Sequence, residues 1–270
     1  MRTPIINVMD RAARRAGRVL ARDFGEVQQL QASRKGAGDF VTAGVRKASQ
    51  TLRYELEKAR PKFTFYGEPA TSDEQLAEKH CWIVSPLVGT VNYVHGQPHF
   101  AISIAHEEDG NLIESVVYDP LSEELFWAVR NTGAYLNDTR LRVSARQNIN
   151  EGVIATGMPA VAQGDHPRYL ATLTAVMADA GGIRQFGAPA LDLAYLAAGR
   201  FDGYWHFELP PEEIAAGILM VREAGGFISD FAGRDTMMTD GDVVAGNSQL
   251  HDILLRCLRT ADPGPSAAEN

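Results

Sequence analysis

The sequence contains only two cysteines, Cys81 and Cys257, and no long run of apolar residues. Two thiols so far apart form neither a disulfide framework nor a closely spaced metal pair, so we interpret both as ordinary core thiols in a reducing compartment. No window of about 18 apolar residues is present, which argues against a membrane-spanning helix. The start of the chain interleaves acidic and basic residues without the apolar stretch of a secretory signal. We therefore expect a cytoplasmic protein with no membrane partner.

Basic residues are fewer than acidic ones. The chain has 26 Lys and Arg residues against 34 Asp and Glu residues, which gives a formal net charge of -8. This balance argues against broad binding to nucleic acid, although a local basic patch is compatible with it. The 270 residues are 45% hydrophobic and 22% charged, which is ordinary for a globular chain with a sizeable core. Small molecules or proteins are the expected partners.

The apolar spacing divides the chain into two halves of one integrated domain. Residues 5–24 predict an amphipathic helix with an arginine-rich side, and Thr42 is the expected N-cap of a second helix that ends before Pro61. Strand-like runs without intervening helices, one of them at residues 124–129, then predict an antiparallel sheet, so we expect residues 1–145 to form an α+β half. Strands and helices alternate in residues 146–259, which is typical of an α/β half. Residues 260–270 lack an apolar stripe and are expected to be disordered.

Residues 82–93 read WIVSPLVGTVNY. This segment resembles the signature W-I-x-D-P-[IL]-D-G-T-x-N-[FY] of the inositol monophosphatase family, especially its bacterial SuhB-type branch. Further matches in the family's order are KGAGDFVT at 35–42, GAYLN at 133–137, LRVS at 141–144, ALDLAYLAAGRFDG at 190–203, IAAG at 214–217, EAGG at 223–226 and VAGN at 244–247. Several separate motifs over nearly the whole chain make a chance match improbable.

The resemblance implies a layered αβαβα fold of α/β class, with an active site between the two halves. It also implies Mg2+-dependent hydrolysis of a phosphomonoester, which requires clustered oxygen ligands and a metal-activated water. A homodimer is implied for the family, and the SuhB-type branch is associated with RNA polymerase and transcription antitermination factors. A small phosphorylated ligand is a further partner that the resemblance suggests.

The carboxylates of the family's metal site are largely missing at the matched positions. Those positions hold Pro69, Ser85, Val88 and Val45, while Glu213 stands for an aspartate. The Leu87 carbonyl is the remaining oxygen that the family places near the metal. Because hard cations prefer compact anionic oxygen ligands, we expect no metal cofactor, with Glu68 and Glu213 leaving room for weak residual binding of a cation.

The positions that the resemblance assigns to phosphate and substrate are partly retained. Gly89 and Thr90 match the family's pair that offers backbone donors and a hydroxyl to phosphate and to the attacking water. Thr90 is therefore the vestigial catalytic position, and the turn is a surviving anion-binding site. The alternative is that the turn is retained only because the fold requires it. On the substrate side Ala188, Pro189 and His206 are altered, and Pro189 removes a backbone donor. His99 and the other histidines show no metal-ligand spacing and are interpreted as ordinary polar or partly buried residues.

Three hypotheses about function follow from these positions. The first is a catalytically degenerate family member, a pseudophosphatase that acts by binding a protein or ligand, with SuhB-like antitermination contacts. The alternative is a Mg2+-dependent inositol-phosphate or sugar-phosphate phosphomonoesterase with weakened metal sites. The third is a metal-independent enzyme or a sensor of a phosphorylated metabolite. Pro69, Ser85 and Val88 are the residues that separate them, and we favour the first.

Overall fold

The computed structural model of the protein describes residues 2–30, 37–68, 79–159 and 165–261, without the side chains of residues 28–30 and 37–42. Pro69, one of the matched metal positions, lies outside these residues. None of the described helices combines the length and the apolar composition that are needed to span a bilayer.

Two long helices pack on one face of the first sheet. In α1 (Pro4–Leu30), apolar residues at helical spacing such as Ile6, Met9 and Leu20 are fully buried. The second helix, α2 (Ala37–Ala59), packs along α1. It begins five residues before Thr42, so the prediction of an N-cap at Thr42 is wrong. No proline interrupts residues 37–42, and a single glycine costs a helix only about 1 kcal/mol.

The first sheet has seven strands in sequential order. Its strands are β1 (Thr64–Phe65), β2 (His80–Val88), β3 (Ala101–Glu108), β4 (Asn111–Asp119), β5 (Glu124–Val129), β6 (Gly133–Leu136) and β7 (Thr139–Arg140). All neighbouring pairs are antiparallel except β1 with β2. The predicted antiparallel sheet is therefore confirmed. A short helix, α3 (Thr90–Val94), follows β2.

The second sheet alternates with helices, as the sequence predicts. Its strands are β8 (Val153–Thr156), β9 (Gly182–Arg184), β10 (Gly203–His206), β11 (Phe227–Ser229) and β12 (Val243–Gly246), in the order β11-β12-β10-β8-β9. Strands β9, β8 and β10 are parallel, whereas β12 is antiparallel to both of its neighbours. The helices are α4 (His166–Asp179), α5 (Pro189–Ala197), α6 (Pro211–Glu223), α7 (Met237–Asp240) and α8 (Ser248–Ala261).

Three apolar clusters show how these elements are layered. One joins α1 and α2 to the first sheet, and a second joins α5 and α6 to both sheets. The third lies where α4 and α8 cover the second sheet. The layered αβαβα fold is thus confirmed, with α6 between the sheets.

Helix α8 extends into the predicted tail. Leu250, Leu254 and Leu258 recur at helical spacing and are buried, so the helix continues to Ala261. Thr260 and Ala261 are therefore helical rather than part of a disordered tail, and residues 262–270 lie outside the described part of the chain.

Candidate active site

The matched signature places a tight turn at the end of β2. Gly89 has a left-handed backbone with φ of 93°, and a Cβ there would lie 2.9 Å from the carbonyl oxygen of His99. Glycine is therefore required at this position. Thr90 is exposed as the first residue of α3, where the first backbone amides have no acceptor within the helix. The turn can offer a hydroxyl and amides to a ligand, and packing alone also explains its glycine.

Most of the other matched metal positions are buried and lack a carboxylate. Val88 is fully buried in the cluster between the sheets, and Ser85 is 6% exposed. Leu87 is buried, and Val45 packs against the cluster beneath α1 and α2. Across the described ranges, no three His, Cys, Asp or Glu side chains gather as a metal-binding group.

The first turn of α6 carries the carboxylate that the sequence singles out. Pro211 opens this helix, followed by Glu212 and Glu213. Burial raises the pKa of Glu213 to about 7, and the neighbouring charge of Glu212 adds to the effect. Glu213 is therefore partly protonated at neutral pH, so a cation that bound there would displace its proton.

Two pockets each include a residue of this turn of α6 in their lining. One, which we call the carboxylate pocket, has a volume of about 380 Å3 and is lined by Glu212, Glu68, Arg53 and Pro86, among others. The second, which we call the broad pocket, has a volume of about 790 Å3 and is lined by Glu213 and His206, among others. Adjacent residues of α6 thus line two different cavities.

In the carboxylate pocket, an arginine neutralises Glu68. Nη1 and Nη2 of Arg53 donate to the two carboxylate oxygens of Glu68 at 2.7 and 2.9 Å, and Nε donates to Glu57 at 2.6 Å. The two hydrogen bonds from Arg53 to Glu68 lower the pKa of the Glu68 carboxyl group. A metal ion at Glu68 would have to compete with the guanidinium group, which the sequence alone does not reveal.

The broad pocket brings together two of the five predicted substrate positions and one of the matched metal positions. His206, Pro189 and Glu213 line it, whereas Gly89, Thr90 and Ala188 are not among its lining residues. Nδ1 of His206 lies 2.7 Å from the Phe207 carbonyl oxygen, and burial lowers the pKa of His206 to about 4. The imidazole is therefore neutral at pH 7, with Nδ1 as the donor and Nε2 as an acceptor.

A network that the sequence reasoning missed connects the signature turn to α5. Nδ2 of Asn92 donates to the carbonyl oxygens of His99 at 2.8 Å and of Phe186 at 2.6 Å. Nε2 of His99 lies 3.1 Å from Oδ1 of Asp192. Asn92 and Asp192 lie in segments that match the family, so the sequence could have identified these two residues. It could not have identified His99, because nothing in the spacing of the histidines distinguishes it.

A second missed group is the hydroxyl of Tyr204, two residues before His206. It is buried and has no hydrogen-bond partner among the residues that the structure describes. Burial raises its pKa, and the negative charges of Asp192 and Glu213 add to this shift. Tyr204 therefore places an unpaired neutral hydroxyl in the electrostatic neighbourhood of both carboxyl groups.

The chain is similar to known proteins over nearly its whole length. The sequence model of the inositol monophosphatase family matches residues 1–262. An inositol-1-monophosphatase of Mesorhizobium japonicum is 48% identical over 96% of this chain and 97% of its own length. The Nus factor SuhB of Escherichia coli K12 is 39% identical over 95% of this chain and 96% of its own. The crystal structure of the suppressor protein SuhB from Bartonella henselae has a TM-score of 0.85 at 48% identity and covers 95% and 99% of the two chains.

These matches overturn one expectation. Relatives that are 46–48% identical are named inositol-1-monophosphatase, and the matched family is the one for which the sequence resemblance implies Mg2+-dependent hydrolysis. The prediction that the chain has no metal cofactor is therefore wrong. It gave the missing carboxylates at the matched positions more weight than the water and substrate oxygens that can complete the coordination of Mg2+. The matches cover nearly the full length of this chain and of its relatives. The chain therefore belongs to the inositol monophosphatase family.

Proposed function

We propose that the chain is a phosphomonoesterase of the inositol-phosphate or sugar-phosphate class with weakened Mg2+ sites. The observation that carries this proposal is Glu213, a partly buried carboxyl group with a raised pKa in the lining of the broad pocket. The names of the 46–48% identical relatives support it.

The donor set suits a magnesium ion that brings most of its own coordination shell. Glu213 would be its carboxylate ligand, with the Ser85 hydroxyl and the Leu87 carbonyl as further candidates. Mg2+ commonly keeps several waters and binds through one or two carboxylates together with substrate phosphate oxygens. Val88 supplies no oxygen from its side chain, and Glu68 is held by Arg53. Binding should therefore be weak without substrate and tighter with it.

The protein's own groups would bind the phosphate, orient the attacking water and contact the alcohol portion of the substrate. The backbone amides at Gly89 and Thr90 would hold the phosphate, and the Thr90 hydroxyl would orient the attacking water. Nε2 of His206 would accept a hydrogen bond from the alcohol portion of the substrate. A bound metal ion supplies charge neutralisation and lowers the pKa of water.

A turnover assay tests this proposal directly. The hydrolysis of inositol 1-phosphate and of p-nitrophenyl phosphate would be measured against Mg2+ concentration, for the parent protein, Glu213→Gln and the control Glu26→Gln. Glu26 is exposed on α1 and lines neither of the two pockets. We expect Mg2+-dependent turnover that falls by about a hundredfold in Glu213→Gln, as when one charge-stabilising group is removed, and is unchanged in Glu26→Gln. Turnover at the uncatalysed rate in 10 mM Mg2+, about a hundred times a typical Kd of 0.1 mM, would contradict the proposal.

A second candidate function is a protein-binding role. It is favoured by Val88, a fully buried aliphatic residue at a position where the resemblance places a carboxylate. Relatives 39–41% identical are named Nus factor SuhB, so the partner would be RNA polymerase or a transcription factor, and the chain would act as a homodimer. A folded protein without turnover that sediments as a dimer and is retained by immobilised RNA polymerase would favour this role.

A further inference from the structure

We infer that the arginine-rich side of α1 binds a short linear oligophosphate. This inference goes beyond the proposed function and does not depend on it, because it concerns a different surface of the molecule. It is carried by four residues that we call the arginine face, namely Arg11, Arg14, Arg15 and Arg18. These four residues, with Asn7 and Asp10, line a pocket of about 310 Å3.

The spacing of the four arginines places their side chains on one side of the helix. They stand at positions i, i+3, i+4 and i+7, which are neighbours on a helix surface. At 1.5 Å per residue, the face is about 11 Å long. The side chains of Arg11, Arg14 and Arg15 are 54%, 36% and 49% exposed. Arg18 is exposed as well, so all four can contact a ligand.

A buried carboxylate on α2 anchors two of these arginines. Nε of Arg11 lies 3.4 Å from Oε2 of Glu55, and Nη1 of Arg15 donates to Oε1 of the same carboxylate. Glu55 itself is only 4% exposed. A guanidinium group carries five N–H donors, so one carboxylate contact leaves donors for a ligand. Arginines that are oriented before binding lose less entropy when the ligand arrives.

Asp10 holds Arg14 in the same way. Nε of Arg14 donates to Oδ1 of Asp10 at 2.5 Å, and its guanidinium carbon lies 5.1 Å from the centroid of the Tyr118 ring. Asp10 also accepts from Nη1 of Arg2 at 2.8 Å. Two guanidinium groups therefore neutralise the one carboxylate that lines the pocket, which removes its repulsion of an anion.

The face has an excess of positive charge. Within the described part of the chain, Arg18 has no carboxylate partner, although it lines the same pocket. The four arginines thus outnumber Asp10 and Glu55, the two carboxylates in contact with them. An excess of this kind favours an anion with more than one charge. The planar guanidinium fork matches the oxygens of phosphate groups, so linked phosphates are the ligand that the face suits.

The charge of the rest of the chain favours a short anion over nucleic acid. Helices α1 and α2 hold nine of the 26 basic residues but only six of the 34 acidic residues. The remainder of the chain is therefore strongly acidic and would repel a long polyanion that extends beyond the face. None of the described residues that line the pocket is aromatic, so a nucleotide base would find no stacking partner there.

Calorimetric titration of the full chain with sodium tripolyphosphate tests the inference. The buffer is free of divalent metal, so that the ligand is not drawn to a metal ion in the candidate active site. Arg18→Gln and Arg18→Lys are compared with the parent, because Arg18 takes no part in the ion pairs with Glu55 and Asp10. The matched control is Arg256→Gln, since Arg256 is exposed on α8 and does not line this pocket.

We expect one tripolyphosphate to bind per chain, and Arg18→Gln to weaken binding by about tenfold, the scale of one charge-assisted hydrogen bond. Arg18→Lys should also weaken binding, because an ammonium group keeps the charge but loses the fork. Arg256→Gln should have no effect. Equal effects of Arg18→Gln and Arg256→Gln, full affinity in Arg18→Lys, or no binding at about 1 mM would overturn the inference.

Two further titrations separate this inference from its alternatives. A single-stranded oligoadenylate of about twelve nucleotides that binds more tightly than tripolyphosphate, and is lost in Arg18→Gln, would overturn the inference in favour of a nucleic-acid surface. Loss of tripolyphosphate binding in Glu213→Gln would overturn it in favour of the candidate active site. The turnover assay is independent: a protein without Mg2+-dependent turnover that binds tripolyphosphate through Arg18 would reject the phosphatase and support this inference.

Discussion

Nε2 of His99 lies 3.1 Å from Oδ1 of Asp192, and this contact ties the segment after α3 to α5. Asp192 is 1% exposed, and burial raises its pKa, although the hydrogen bond from His99 opposes the shift. The buried partner of His99 is therefore a group whose charged form is penalised by its surroundings.

Replacing Asp192 should separate the hydrogen bond from the charge. Asp192→Ala leaves the His99 ring without its partner and should lower the free energy of unfolding by about 3 kcal/mol. Asp192→Asn keeps an oxygen acceptor and should cost only about 1 kcal/mol. Urea denaturation at pH 7 measures both values. Equal losses for the two variants would contradict the assigned hydrogen bond.

His206 should make the protein less stable in mild acid. Its pKa is about 4 in the folded protein against the ordinary histidine value of 6.5, so the unfolded chain binds more protons between these pH values. Stability therefore falls as the pH drops through that window, by about 2 kcal/mol from His206 between pH 7 and pH 5. Denaturation at both pH values should show this component missing in His206→Gln and retained in His95→Gln, an exposed histidine. An unchanged pH dependence in His206→Gln would refute the prediction.

Gly157 and His206 should be strongly coupled. A Cβ at residue 157 would lie 2.0 Å from Cδ2 and Nε2 of the His206 ring. Gly157→Ala should therefore destabilise the parent by about 2 kcal/mol or more but be tolerated in a His206→Ala background. The double-mutant cycle should give a coupling energy above about 1 kcal/mol.

Gly25→Ala is the matched control for this cycle. Among the described residues, no atom other than those of the adjacent residues and the helix's own backbone lies within 4 Å of a Cβ at that position of α1, so the substitution should be neutral or slightly stabilising. Additive effects of Gly157→Ala and His206→Ala would show that the two residues do not touch.

Val88→Asp alone should destabilise the protein. Only the combination with Ser85→Asp should make the melting temperature respond to Mg2+. Val88 is fully buried between the sheets, so Val88→Asp should cost about 3 kcal/mol or more. Val88→Thr controls for the change in polarity without charge. Adding Ser85→Asp should make Mg2+ raise the melting temperature more than in the parent. Indifference of the folded double variant to Mg2+ would place the cation elsewhere.

The sequence by itself determined the type and order of most elements and the family. The run from Glu124 to Val129 is predicted as a strand with its observed bounds, and the alternation after residue 144 predicts the helices and strands of the second sheet. These signals are local, because apolar periodicity follows the geometry of one element. The sequence also identified the matched positions, including Glu213 and His206, since motif spacing is carried along the chain.

The tertiary structure alone decided what surrounds those positions. The pairing of Arg53 with Glu68, the contact of His99 with Asp192 and the antiparallel insertion of β12 beside β10 join residues that are far apart in sequence. Such contacts depend on the path of the whole chain, which composition and local spacing do not encode. The protonation of Glu213 and His206 depends on burial for the same reason, because burial is a property of the packed layers and not of the motif.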